Sequence, residues 1–104
     1  MKRPLVANRG EIAARVIRTA HELGLETVLA ASEADRESYA AQLSDLVTVI
    51  GPAQAGQSYL NSKALTDAIR SSGADAVHPG YGFLSEDAEF AKSVIAAGAT
   101  WVGP

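Results

Sequence analysis

The fold is decided by residues 5–24, which read LVANRGEIAARVIRTAHELG. The apolar run Leu5–Ala7 is short and ends in a turn-like Asn-Arg-Gly, which indicates a buried strand. From Glu11 to Leu23 apolar side chains recur at helical spacing, and Gly24 supplies a helix stop. The stretch therefore predicts a strand, a turn and a helix, which is the opening unit of an α/β fold.

The same alternation continues to the end of the chain. Further strands are predicted at residues 27–31, 46–50, 74–78 and 100–102, and further helices at residues 37–43, 62–71 and 85–97. Ser85 is expected to cap the last helix, because Glu86, Asp87 and Glu89 then suit the positive end of its dipole. Residues 1–104 thus predict one domain, a five-stranded parallel sheet with helices on both faces.

Composition narrows the functional classes. Hydrophobic residues make up 47% of the chain and charged residues 20%, enough for a packed core. The absence of cysteine excludes disulfides, thiolate zinc sites and cysteine nucleophiles, and it fits a cytoplasmic protein. A net charge of −3 gives no general attraction to nucleic acid or to an anionic membrane. No apolar run approaches the roughly 20 residues that span a bilayer, and no targeting segment is expected.

Two loops stand out at the predicted ligand-binding edge. In open parallel sheets, ligands bind beyond the carboxyl ends of the strands, where the strand order reverses. If the strand order is 3-2-1-4-5, the reversal lies between the first and fourth strands. The loops leaving those strands are Asn8-Arg9-Gly10-Glu11 and residues 78–86, HPGYGFLSE. We expect them to meet at one edge of the sheet.

The first loop has two interpretations. Its glycine precedes a helix, where backbone N–H groups can approach a phosphate or carboxylate. Gly10 stands alone, however, so the dinucleotide fingerprint of three spaced glycines is missing, although Glu33 or Asp35 lies where such folds place a ribose-binding acid. The alternative is a simple helix-capping turn. Nicotinamide binding is not expected.

The second loop can present groups to a ligand. Gly80 and Gly82 flank Tyr81 and allow backbone conformations with positive φ. Tyr81 is expected to contact either a ligand or a neighbouring domain, and His78 is expected to be a hydrogen-bonded, half-buried strand-end residue. No spacing brings His78 and His21 together, so no metal site is predicted.

One face of the first helix carries charge. Arg15, Arg18 and Glu22 share a helical stripe, and Arg18 and Glu22 have the i, i+4 spacing of an ion pair. The stripe predicts a solvated face or a polar subunit interface.

Three segments carry a family resemblance: Val6–Ala13 followed by Arg15, Ser58–Asn61, and above all the run His78–Glu86. With the linking pieces 22–24, 34–36, 50–52 and 101–104, they cover the whole chain in order. The sequence resembles the N-terminal domain of biotin carboxylases, the ATP-grasp subunits of acetyl-CoA, propionyl-CoA and pyruvate carboxylases. Two positions depart from the pattern: Asp87 stands where asparagine is expected, and residues 39–42 lack the expected basic or histidine residues.

The resemblance implies a Rossmann-like, pre-ATP-grasp domain. The full enzyme uses MgATP and bicarbonate to carboxylate biotin on a biotin carboxyl carrier protein, and a separate carboxyltransferase uses the product. The groups that hold these substrates lie in later ATP-grasp and C-terminal domains, absent from this chain. The resemblance therefore implies no catalytic residue here, no cofactor bound by the domain alone, and no catalysis by the isolated domain.

The resemblance also implies roles for single residues. Tyr81, Gly82 and Glu86 would border the biotin side of the active site. Arg15, Arg18 and Glu22 match positions used in homodimer contacts. Two alternatives remain open: a dimerisation or scaffold module, and a free-standing nucleotide-binding domain.

Overall fold

A five-stranded parallel sheet forms the centre of the molecule in the computed structural model, which describes residues 1–103. Its strands are β1 (Pro4–Val6), β2 (Val28–Ser32), β3 (Leu46–Gly51), β4 (Ala76–His78) and β5 (Thr100–Trp101). All four neighbouring pairs are parallel, and the order is β3-β2-β1-β4-β5. The predicted five-stranded parallel sheet is confirmed, and its strand order is the one that places the reversal between the first and fourth strands.

Four helices cover both faces of the sheet, as predicted: α1 (Gly10–Glu22), α2 (Tyr39–Leu43), α3 (Ser62–Ser72) and α4 (Ala88–Ala96). Because side chains alternate along a strand, β1 and β2 contribute to two separate cores, one on each face of the sheet. Val6 and Leu29 pack with α1 and α2 on one face. Leu5, Val28 and Val77 pack with α3 and α4 on the other.

The predicted start of α4 is wrong. The helix begins at Ala88, and its N-cap is Asp87, whose carboxylate accepts the Phe90 N–H at 3.0 Å. Ser85 is buried in a run of turns, and its N–H donates to the carbonyl of Gly82. The three consecutive polar residues at 85–87 are all compatible with a helix start, and the turns after Gly82 select the last of them. Aspartate and asparagine both cap well, so Asp87 preserves the function expected of asparagine.

Polar side chains join the strands at the amino end of the sheet. Asp45 accepts the Thr27 N–H at 2.8 Å and lies 3.0 Å from Nε2 of His21. Asp75 accepts the N–H groups of Lys2 and Arg3 at 2.7 and 2.9 Å. These contacts tie the chain ahead of β1 to the start of β4, and the end of α1 to the starts of β2 and β3.

Within residues 1–103, none of the helices has the length and apolarity required to cross a bilayer.

Candidate functional site

The two loops singled out in the sequence meet at the carboxyl edge of the sheet. β1 pairs with β4 in the register Val6↔His78, and the Ala7 N–H extends the ladder to the carbonyl of His78 at 3.0 Å. Asn8, only 2% exposed, then donates from Nδ2 to the carbonyls of Pro79 at 2.8 Å and Tyr81 at 2.6 Å. The expectation that residues 8–11 and 78–86 share one edge is confirmed.

Gly80 is required by this close approach. Its φ is +67°, and a Cβ there would lie 2.7 Å from Cγ2 of Ile12 and 2.8 Å from Nδ2 of Asn8. Gly82 has a similar φ of +69° but open space around it. The first glycine is therefore needed for conformation and packing, and the second for conformation alone.

The side chains of this loop divide into buried and exposed. His78 is half-buried, and its Nδ1 accepts the Gly80 N–H at 3.1 Å, as predicted for a strand-end histidine. Burial lowers the pKa of His78, which favours the neutral ring that this bond requires. Tyr81 is 78% exposed, and Gly82 and Glu86 are exposed as well. The loop thus presents its predicted border residues outward.

A second polar cluster at this edge was not predicted. Asp35 follows β2 and accepts two hydrogen bonds from Arg9, at 2.7 Å from Nε and 3.0 Å from an Nη atom. It also accepts the hydroxyls of Tyr59 at 2.7 Å and Ser32 at 3.2 Å. These contacts make Asp35 the centre of a network that joins the ends of β1 and β2 to the loop after β3.

Tyr59 connects the network to the second loop. It is 2% exposed, accepts the Ser32 N–H at 3.1 Å, and stacks on Phe83 with ring centroids 5.1 Å apart and planes 26° apart. Ser58 and Tyr59 had been noted as part of the family pattern, with no role assigned. The available signal was a large aromatic residue within a short polar loop, which is typical of a buried anchor.

The network shifts the ionisation of its members. The hydrogen bonds from Arg9 and then from Tyr59 lower the pKa of Asp35 to about 2, although burial opposes the shift. The same pairing raises the pKa of Arg9, and burial raises the pKa of Tyr59. At neutral pH the site therefore contains a fixed Arg9–Asp35 ion pair and a neutral Tyr59.

These contacts answer the ribose-acid expectation. Asp35 has its oxygens engaged by Arg9, Tyr59 and Ser32, and Glu33 lies 3.6 Å from Arg36 in an ion pair. Both acids therefore have partners within the domain. The helix-capping interpretation of the first loop also needs correction: Arg9 is the N-cap of α1 without a side-chain cap, and Asn8 is used to hold the second loop.

The charged stripe on α1 is exposed, as predicted, but its internal pairing differs. Arg18 pairs with Glu11, 3.1 Å away and seven residues before it in the sequence, and not with the expected partner Glu22, which follows it by four residues. Arg15 and Glu22 are exposed. Beside the stripe, a largely apolar groove of about 630 Å³ runs along α1, from Tyr81 at the carboxyl edge to Leu23 at the helix end.

Metal ligands do not converge in the part of the chain that the structure describes. Across residues 1–103, no group of three or more histidine or carboxylate side chains is arranged to hold an ion.

Fold and site together define an α/β domain whose outward-facing loop residues lie at the carboxyl edge of an open sheet, the edge at which such folds bind ligands. The model of the family "Biotin carboxylase, N-terminal domain" matches residues 1–104. The chain belongs to this family, which confirms the resemblance read from its sequence.

Relatives and solved structures agree on the assignment. The chain is 50% identical over 100 residues to the propionyl-CoA carboxylase alpha chain of Rattus norvegicus, covering 96% of this chain and 14% of that protein. It is 50% identical over 104 residues to the biotin carboxylase of Pseudomonas aeruginosa, covering 100% of this chain and 23% of that protein. Among solved structures, the 2-oxoglutarate carboxylase biotin carboxylase domain dimer of Hydrogenobacter thermophilus, with MgADP, ADP and bicarbonate, matches with a TM-score of 0.91. That match has 43% identity over 99% of this chain and 22% of that one. The chain thus spans less than a quarter of each relative.

Proposed function

We propose that this chain is the N-terminal domain of an enzyme that converts ATP, bicarbonate and carrier-bound biotin into carboxybiotin, ADP and phosphate. The observation that carries the proposal is the joined edge at residues 8–11 and 78–86, which presents Tyr81, Gly82 and Glu86 outward. These residues form the wall on the biotin side, and the remaining biotin carboxylase domains supply the rest of the pocket.

The contribution of this chain to the reaction is to bind and orient. An exposed tyrosine ring offers an apolar surface and a hydroxyl to the biotin ring system, while Glu86 adds a carboxylate at the rim. In this proposal, MgATP and bicarbonate are bound by the remaining biotin carboxylase domains. The carrier protein and the carboxyltransferase are partners of the whole enzyme, and the cytoplasmic location stays a prediction.

The isolated chain is expected to be inactive. Phosphate release from ATP, with and without bicarbonate and free biotin, is measured for the 104-residue chain and for the chain extended by its downstream domains. We expect bicarbonate-dependent ATP cleavage from the extended protein alone. ATP cleavage by the 104-residue chain would contradict the proposal that the other domains hold the reactive groups. The absence of ATP cleavage by both proteins would contradict the proposed function.

A second candidate function is dimerisation through α1. It is favoured by the exposed Arg15, Arg18 and Glu22, and by the solved relative that is described as a domain dimer. In the extended protein, Arg15→Glu is expected to weaken self-association in sedimentation velocity. Arg70→Glu, an exposed arginine on α3, is the matched control. Equal effects of the two changes would argue against an α1 interface.

The free-standing nucleotide-binding alternative is less well supported, because Asp35 is engaged within the domain. Calorimetry of the 104-residue chain with ATP, ADP and NAD is expected to show no binding tighter than about millimolar. Micromolar binding of any of the three would favour this alternative instead.

A further inference from the structure

The loop at residues 79–86 has two attachments around its exposed residues, in addition to Leu84, whose buried side chain packs in the core. The first attachment is at its start, where Asn8 donates to the carbonyls of Pro79 and Tyr81. The second is at Phe83, whose ring stacks on Tyr59. The exposed Tyr81 and Gly82 lie within this span, with Glu86 just beyond it, so both attachments influence how these residues are presented.

Phe83 needs its attachment because its backbone is strained. Its φ is +48°, and it is the only residue other than glycine with a positive φ in the part of the chain described. A side chain with a Cβ carries a conformational cost in this region, and such residues persist where surrounding contacts hold them. The stack on Tyr59 is the contact that holds Phe83.

The Tyr59 ring is in turn fixed by its hydroxyl, which donates to Asp35 and accepts the N–H of Ser32. Asp35 is anchored by the paired hydrogen bonds from Arg9 and by the Ser32 hydroxyl. A continuous series of contacts thus leads from the ends of β1 and β2, through a carboxylate and a buried ring, to the strained position in the loop.

We propose that Asp35 is a positioning residue, which acts through Tyr59 and Phe83 to hold the 79–86 loop in the conformation that borders biotin. The role in catalysis rests on the proposed function above. Neither Asp35 nor Tyr59 contacts substrate in this proposal; each acts through the shape of the loop.

Amide hydrogen exchange of the 104-residue chain tests the attachment directly. The informative amides are Ser85 and Asp87, which donate to the carbonyls of Gly82 and Leu84 within the loop. Asp35→Asn and Tyr59→Phe are each expected to speed exchange at these amides about tenfold relative to amides in β1 and β4. Tyr59→Phe retains the ring, so the core stays packed. The matched control is Asp67→Asn, which removes a carboxylate from an exposed pair with Lys63.

Unchanged exchange at Ser85 and Asp87 in both variants, relative to the strand amides, would overturn the attachment. The double variant sharpens the result: if Asp35 acts through Tyr59, the two changes together should speed exchange no more than the larger single change does. Additive effects would show that Asp35 acts by another route, and would also overturn the proposal.

The catalytic consequence is tested in the extended protein. Asp35→Asn is expected to raise KM for free biotin about tenfold, as displacement of a positioned group does, while KM for ATP stays unchanged. Tyr59→Phe should reproduce this pattern. Equal losses for both substrates would indicate general destabilisation and would contradict a positioning role. An inactive wild-type protein would overturn the proposed function, while the exchange experiment would still decide whether Asp35 holds the loop.

Discussion

Carboxylates join neighbouring segments at both ends of the sheet, but they accept hydrogen bonds from different kinds of donor. At the amino end, Asp45 and Asp75 both accept backbone N–H groups from residues at or next to the strands, and Asp45 in addition contacts the side chains of Thr27 and His21. At the carboxyl end, the donors to Asp35 are the side chains of Arg9, Tyr59 and Ser32. Backbone donors are fixed by the sheet itself, whereas side-chain donors extend the connection outward into loops.

The difference suggests a division of roles. The amino-end contacts join the starts of the strands and the end of α1 and do not extend to the candidate site. Their loss should therefore reduce stability without changing that site. The carboxyl-end contacts continue to a loop with an exposed tyrosine, so their loss should change both stability and the shape of the candidate site. Four variants test this contrast, and they are taken from the largest expected effect to the smallest.

Gly80→Ala should have the largest effect. It combines a clash with Ile12 and Asn8 with an unfavourable positive φ, so we expect a loss of about 3 kcal/mol in the free energy of unfolding. Urea denaturation measures the loss. Gly82→Ala is the control, with the same φ cost but open space, and it should lose about 1 kcal/mol. Equal losses would show that the close contact with Asn8 contributes nothing.

The loss of stability caused by Asp35→Asn should depend on pH. The Arg9 hydrogen bond, first among the causes, lowers the pKa of Asp35 from 3.8 to about 2, so the folded state binds the proton less tightly than the unfolded state. The ionised group then contributes about 1–2 kcal/mol above pH 4, allowing for solvent around Arg9, and this contribution is lost as the pH falls through about 2.

Urea denaturation at pH 7 and pH 2 should therefore show a large difference between wild type and Asp35→Asn at the higher pH and a small one at the lower. Asp67→Asn, in a solvent-exposed pair, should show little difference at either pH. A loss from Asp35→Asn that is the same at both pH values would mean that the charge of Asp35 contributes nothing to stability.

Thr27→Val tests the amino end. The buried Thr27 hydroxyl lies within 3.2 Å of Asp45 and Ser44 and 3.1 Å from His21, and valine has nearly the same shape. We expect a loss of about 1 kcal/mol in urea denaturation, with unchanged hydrogen exchange at Ser85 and Asp87. Faster exchange in the distant loop would break the contrast between the two ends.

Asp87→Asn should have the smallest effect. Asparagine can accept the Phe90 N–H in the same way, so the free energy of unfolding should change by less than about 0.5 kcal/mol. Asp87→Ala, which removes the cap, should lose about 1 kcal/mol. If asparagine were as damaging as alanine, the charge of Asp87 rather than its cap would be responsible.

The sequence predicted the features that depend on periodicity and local turns. The parallel sheet follows from the alternation of strands and helices, and the two loops meet if the strand order is 3-2-1-4-5; both the sheet and the meeting of the loops are confirmed. The start of α4 was missed because Ser85, Glu86 and Asp87 are all suitable first-turn or cap residues. Which of them is the N-cap depends on the preceding turns, in which Ser85 is buried.

The Asp35 network could not be predicted from rules that relate local sequence to local structure. Arg9 and Asp35 are 26 positions apart, and Tyr59 is a further 24 from Asp35, so their contact depends on the packing of three strand ends. Position alone suggested that Glu33 or Asp35 could be a ribose-binding acid, and the missing glycines argued against that role. The partners of Asp35 could not be predicted from the sequence, because a long side chain at the carboxyl edge of a sheet has several neighbours within reach.

The central place of β1 has a consequence for how the protein is made. β1 leaves the ribosome first, yet its partner β4 is complete only at His78, after three quarters of the domain has been synthesised. One hydrogen-bonding side of the first strand therefore lacks its sheet partner until β4 has been synthesised, and non-local parallel pairing of this kind is slow to form. Chain elongation, rather than the intrinsic speed of any helix, sets the earliest moment at which this domain can close.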